Sequence, residues 1–163
     1  MGKFTKYLST LTAIMFVVPA TFAATSEVKW TNPDDYRDIR PGEGHRKQFR
    51  ERTFKTLEKH FAKLAEKLPE GQVLKIDVSN VDLAGDVNFS GIKQFRIIKE
   101  SYFPKMKFSY QIVDSKDAEI STGSADLKDM TFMTNSRLRY RHKSLGYERK
   151  MLDDWFKETF EKS

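Results

Sequence analysis

The chain contains no cysteine, which removes disulfides, thiolate zinc sites and cysteine nucleophiles together. It has three histidines, His45, His60 and His142. No two stand at i, i+4, and none belongs to an H-E-x-x-H pattern, so no zinc site is expected. No G-x-S-x-G elbow and no S-x-x-K pair offers a serine nucleophile a setting. Proline and glycine are sparse, 5 and 8 in 163 residues, and wholesale disorder is excluded. What is present is 39% hydrophobic and 13% aromatic sequence. That is enough for one packed domain, and the length rules out most enzymes built from separate cofactor and substrate domains. No cofactor and no metal are expected.

No apolar run reaches the roughly 18–20 residues a membrane-spanning helix needs. The longest, Leu8 to Val18, is interrupted by Ser9, Thr10 and Thr12, preceded by Lys3 and Lys6, and broken by Pro19. Thr21-Phe22-Ala23 then places small residues at −3 and −1. This is the pattern of a secretory signal peptide cleaved after Ala23, leaving residues 24–163 as one domain in the periplasm or outside the cell. The alternative, an uncleaved anchor, fits the short apolar run less well. Without cysteine there is no lipoprotein modification site. Removing residues 1–23 takes away two lysines and no acid, which lowers the formal charge of +6 by two. So small an excess permits attraction to anionic polymers or lipid head groups but is no nucleic-acid signature.

Periodicity divides the remaining chain. Val28 and Trp30 share a face of a short strand over Glu27–Thr31. From His45 to Leu68, Phe54, Leu57, Phe61, Leu64, Ala65 and Leu68 form one apolar helical stripe, stopped by Pro69-Glu70-Gly71. Leu74, Ile76 and Val78 alternate with Lys75 and Asp77; the phase slips at Ser79-Asn80, which predicts a bulge. Gln94–Lys99 reads as a strand with Phe95 and Ile97 on one face. Lys105–Val113 alternates strictly, with Met106, Phe108, Tyr110 and Ile112 inward. Asp114-Ser115-Lys116-Asp117 makes a hairpin loop to a returning strand, Glu119–Leu127. Finally Tyr147, Met151, Trp155 and Leu152, Phe156, Phe160 give a second helix a wide apolar face. The order predicts an α+β fold, a single domain with a twisted antiparallel sheet and two helices packed on one face.

Several of these runs carry a resemblance. Leu74-Lys75-Ile76-Asp77-Val78 leading into Val81-Asp82-Leu83-Ala84-Gly85-Asp86 resembles the core of a family of bacterial secreted proteins, the domain of unknown function 3016 family. Arg96-Ile97, Tyr102-Phe103-Pro104, Tyr110, Leu127-Lys128-Asp129-Met130, Tyr147 to Leu152 and Asp154-Trp155-Phe156 follow in order. The resemblance spans about residues 28–160. It implies a signal peptide, a periplasmic setting and a single domain, and it brings no activity and no functional residue.

Two clusters invite chemistry. Asp77, Asp82 and Asp86, with Asn80 and Asn88, could supply oxygen ligands to calcium or magnesium, but the spacing is not that of a calcium loop and no bidentate Glu follows. A turn capped by Asp82, with Gly85 at positive φ, is the simpler reading. The run Arg137-Leu138-Arg139-Tyr140-Arg141-His142-Lys143 places Arg137, Arg139, Arg141 and Lys143 at every second position. As an extended segment it would present them on one face, Tyr140 adding a stacking surface. Lipid phosphates, acidic glycans or an acidic partner protein would suit that row; a charged edge that blocks aggregation explains it equally.

The expectation is an exported, non-enzymatic protein that binds or assists an anionic envelope component through residues 137–143. A small envelope hydrolase using acids near Asp77–Asp86, and a stress-related structural scaffold without ligand, are the alternatives. A hydrolase requires converging acids of perturbed pKa in a cleft. Intact-mass measurement of the exported protein should give a chain beginning at Ala24; a full-length, membrane-retained species would overturn the reading of the N-terminus.

Overall fold

The alternation of Lys105–Val113 gives that strand one apolar and one polar face, as an antiparallel sheet with one wet side requires. In a computed structural model of the chain, residues 22–90, 92–135, 140 and 142–161 are described. Strands β1 (Thr25–Trp30), β2 (Val73–Asp82), β5 (Lys105–Val113) and β6 (Glu119–Lys128) form one sheet in the order β1-β2-β5-β6. β3 (Asp86–Asn88) and β4 (Phe95–Ile97) form a separate antiparallel hairpin. Helices α1 (Arg46–Ala65), α2 (Phe132–Asn135) and α3 (Gly146–Phe160) complete the described elements.

The sheet is not wholly antiparallel. β1 pairs parallel to β2, Thr25 opposite Val73 through Trp30 opposite Val78. Parallel neighbours need a long crossover, and α1 supplies it. Trp30 secures the arrangement: its ring stacks on Phe54 of α1 with centroids 4.0 Å apart, and its indole N–H donates to Glu58 at 2.8 Å. The bulge expected at Ser79 is present, since Val78 and Asn80 oppose the consecutive residues Phe108 and Lys107. The extra residue restores the phase, so that Leu74, Ile76, Val78 and Val81 are all buried.

Both long helices cover the same sheet face. Leu57, Phe61, Leu64 and Ala65 of α1 are buried with Met151, Leu152, Trp155 and Phe156 of α3. Aromatic edges join the layers: Phe108 meets Phe61 and Trp155 at 5.8 and 4.8 Å, and Tyr110 meets Trp155 and Phe160 at 5.4 and 5.5 Å. Such contacts add to the area each ring buries. The opposite face is wet and ion-paired, with Lys29 on Asp77 and Lys75 on Asp117 at 3.0 and 2.8 Å. In the hairpin loop, Asp114 Oδ1 accepts from the backbone N–H groups of Lys116 and Ala118.

The Gln94–Lys99 segment differs from expectation. Only Phe95–Ile97 is strand, and Phe95 is exposed while Arg96 turns inward. A charged pair at the base of the hairpin overrides simple alternation there. The set of contacts around Trp155 predicts that Trp155→Ala lowers stability by about 3–5 kcal/mol. Ile120→Ala, at a half-exposed position of β6, should change it by less than about 0.5 kcal/mol. Denaturant midpoints of the two variants check this; equal midpoints would mean that α3 is peripheral.

Candidate functional site

The polar flanks of α1 and α3 face each other across a groove of about 470 Å³. Lys59, Lys63 and Lys67 line one wall at i, i+4 and i+8, a spacing that puts them in one row. Arg149, Lys150 and Lys157 of α3, with Lys143 before it, line the other. Only three carboxylates, Asp153, Asp154 and Glu161, join these seven cations in the lining. Lys67 is taken by Glu161 at 2.8 Å, and Lys150 by Asp154 and Asp129 at 2.6 and 3.5 Å. Lys59, Lys63, Lys143 and Lys157 have no ion pair among the described residues. Arg149 Nε is buried in the wall and has no hydrogen-bond partner among the described residues.

The floor is polar and ordered. Asp153 accepts from the Tyr140 hydroxyl at one oxygen and from His60 Nε2, 3.0 Å away, at the other. His60 Nε2 also lies 3.1 Å from the Arg149 carbonyl. Both neighbours are acceptors, so this nitrogen carries a proton. Burial opposes ionisation of Asp153, but the bonds from His60 and Tyr140, with His60 and Lys67 nearby, hold its pKa below the usual aspartate value. Its charge is thereby fixed in place.

The structure places the expected binding residues unevenly. Arg137, Arg139 and Arg141 lie outside the described residues. Lys143 is exposed at the groove. Tyr140 is not a stacking surface: it is 6% exposed, its backbone is helical and its hydroxyl is committed to Asp153. Its carbonyl leaves no room for a side chain at Gly146, where a Cβ would sit 1.9 Å away. Tyr140 itself is therefore drawn against α3. The row Lys59, Lys63, Lys67 stands at helical spacing but no sequence pattern singled it out; only α3 opposite turns it into a wall.

The acids between Asp77 and Asp86 do not assemble together. Asp77 lies on the wet face, bonded by Lys29 and by Thr31 Oγ1 at 2.6 Å. Asp82 is bound by Lys105 at 3.0 Å and Arg37 at 3.8 Å, and Asp86 Oδ1 accepts from the Val87 N–H at 2.7 Å. Asp82 and Asp86 do line a depression of about 330 Å³ with Asp38, Arg37, Arg40 and Lys105. Asp38, which no sequence pattern singled out, is 8% exposed and paired to Arg96. Burial, helped by Asp86 and Asp82, raises its pKa to about 6 against the pull of Arg96. Arg96 also donates from Nε to Ala84 O at 3.0 Å, and Glu148, 2% exposed, accepts from the Ala84 N–H at 2.7 Å. Gly85, at φ +85°, makes the turn, and a Cβ there would meet Ile97 O at 2.6 Å. Gly85 takes the positive φ that the sequence suggested, while the carboxylate of Asp82, expected to cap the turn, goes instead to Lys105 and Arg37. Among the described residues, no group of three His, Asp or Glu side chains is placed to hold a metal ion, and no helix is long and apolar enough to cross a membrane.

Residues 24–158 match the family described as "Protein of unknown function (DUF3016)", and the chain belongs to it. No curated protein and no solved structure matches the chain.

Asp38 generates a pH prediction. Its folded pKa lies above its unfolded value near 3.8, so the native state binds the extra proton between about pH 4 and pH 6. Its contribution to stability is present below pH 4 and is lost as pH rises through 6, at no more than about 1.4 kcal/mol per pH unit. Unfolding of Asp38→Asn, followed from pH 4 to pH 7, should lack this decline. Parallel profiles for the two proteins would show that Asp38 titrates normally.

Proposed function

We propose that this protein is an exported, non-enzymatic binder of an anionic envelope component, and that the groove between α1 and α3 is where it binds. The cation excess of the lining carries the reading. Seven basic side chains against three acids in one groove repel one another, and a bound anion relieves that repulsion. Arg149 Nε adds a buried donor in the same wall. The basic run 137–143 reaches the groove at Tyr140 and Lys143. Export is supported by the N-terminal pattern. β1 begins at Thr25 and the family match at residue 24, so cleavage after Ala23 leaves every strand whole and removes the bond from Gly71 N–H to Phe22 O.

A hydrolytic role has one supporting observation, the raised pKa of Asp38 in a depression with Asp82 and Asp86. Each of those acids already has a partner, and Asp38 in particular is spent on Arg96. The binding reading is therefore preferred.

Inorganic polyphosphate serves as a soluble probe. Lys59→Gln with Lys63→Gln should weaken its binding about tenfold at low salt and flatten the salt dependence, while the melting midpoint stays nearly unchanged. Arg139→Gln with Arg141→Gln should weaken it further, and Asp82→Asn with Asp86→Asn should not. Binding that ignores both salt and the lysine changes would overturn the groove as the site.

A further inference from the structure

Three large apolar side chains at the end of the β3–β4 hairpin are exposed among the described residues. Phe89, Ile92 and Phe95 are 61%, 105% and 56% exposed. Asn88 pairs with Phe95, so all three belong to one narrow tip. Exposed hydrophobic residues scattered singly need no explanation, but three large ones on one short turn do. The base of the same hairpin is firmly held. Arg96 reaches Asp38 and the carbonyls of Ala84 and Leu83. The chain at Gly42 lies so close to Gln94 and Phe95 that a Cβ would meet the Gln94 carbonyl at 2.3 Å. The tip is thus an apolar finger on a fixed mount.

Charge identifies what it touches. From Val87 to Lys99 the chain has no carboxylate, while Lys93 and Lys99 are exposed on either side of Phe95. Apolar side chains flanked by lysines suit an interface where hydrocarbon lies beneath anionic head groups. A protein partner fits less well, because a stable interface takes about 800 Å² from each side, and a tip of three side chains with a three-pair ladder behind it is small for that.

We propose that the β3–β4 hairpin is a membrane-contact element, which inserts Phe89, Ile92 and Phe95 shallowly into an anionic phospholipid surface while Lys93, within the tip, meets the head groups. This surface is distinct from the helical groove, whose lining includes none of these residues. The two bind by different means: the groove by charge alone, the tip by apolar burial assisted by charge.

Flotation with phosphatidylglycerol–phosphatidylethanolamine vesicles tests the proposal, using the soluble protein recovered from cells with its N-terminus established by mass. The triple variant Phe89→Ser, Ile92→Ser, Phe95→Ser should lower the vesicle-bound ratio at physiological salt by about tenfold or more. The control Ile120→Ser with Met130→Ser, which removes exposed apolar residues elsewhere, should leave it unchanged. Melting curves establish that each variant is folded. In addition, the Ile92→Trp variant should show a blue-shifted emission on adding vesicles that the unaltered protein does not, and should still do so when combined with Lys59→Gln and Lys63→Gln. Three results would overturn the proposal: vesicle binding by the triple variant equal to that of the unaltered protein, no binding by the unaltered protein, or no added emission shift in the Ile92→Trp variant. So would a dimer, seen by sedimentation without lipid, that the triple variant abolishes, because a second copy of the chain would then be what covers the tip.

Discussion

The backbone between β2 and β3 is clamped by charge from two sides, and the rest of the fold is arranged around that clamp. Arg96 holds the carbonyls of Leu83 and Ala84 and the carboxylate of Asp38. Glu148, in the first turn of α3, holds the N–H of Ala84. Through these few bonds the end of β2, the hairpin, the loop at Asp38 and the start of α3 are fixed relative to one another. The backbone of Asp38 also runs beside the end of β2, its N–H donating to Val81 O at 3.5 Å and its carbonyl accepting from the Leu83 N–H at 3.4 Å. The Arg96 and Asp38 side chains are only 18% and 11% exposed, so removing one leaves the other's charge largely uncompensated, a change that for a buried pair typically costs about 3–5 kcal/mol. Burial pushes the pKa values of both Asp38 and Glu148 upward. The N-terminal end of α3 offsets part of that strain for Glu148, since a helix start favours negative charge.

Fixing the start of α3 also fixes the groove. The aromatic residues of both helices must face the sheet, where Phe108 and Tyr110 receive them. Once those faces are spent, the adjoining polar flanks turn toward one another along the seam. The cations of α1 then stand opposite those of α3, and Asp153, Asp154 and Glu161 offset only part of their charge. Salt screens such repulsion over about 8 Å at physiological strength. The fold tolerates the excess because its stability comes from the aromatic layer beneath, not from the seam. An unneutralised groove on a stable scaffold is a surface available to an anion.

The hairpin shows the same division between mount and tip. Alternation would place Phe95 and Ile97 on a common face, but Arg96 is the residue drawn inward, because Asp38 and two carbonyls wait for it there. Phe95 is left outside with Phe89 and Ile92. A local pattern is overridden when a buried charge has only one way to be satisfied.

By itself the sequence determined the elements. The helical stripe of Phe54 to Leu68, the alternation of Lys105–Val113, the phase slip at Ser79 and the positive φ at Gly85 are all short-range consequences of side-chain period or of backbone sterics. Each was legible within a window of a few residues, as was the pairing of two helices with a sheet. Tertiary structure alone decided the parallel placement of β1, the inward turn of Arg96 and the burial of Tyr140 beneath the groove. It also selected Asp38, Glu148 and His60, whose partners lie 58, 64 and 89 residues away along the chain. A charged or hydroxylated side chain carries no local mark of its partner. Which one it meets is settled only when the aromatic layer has packed and the polar groups trapped at its margins must find hydrogen bonds where water no longer reaches.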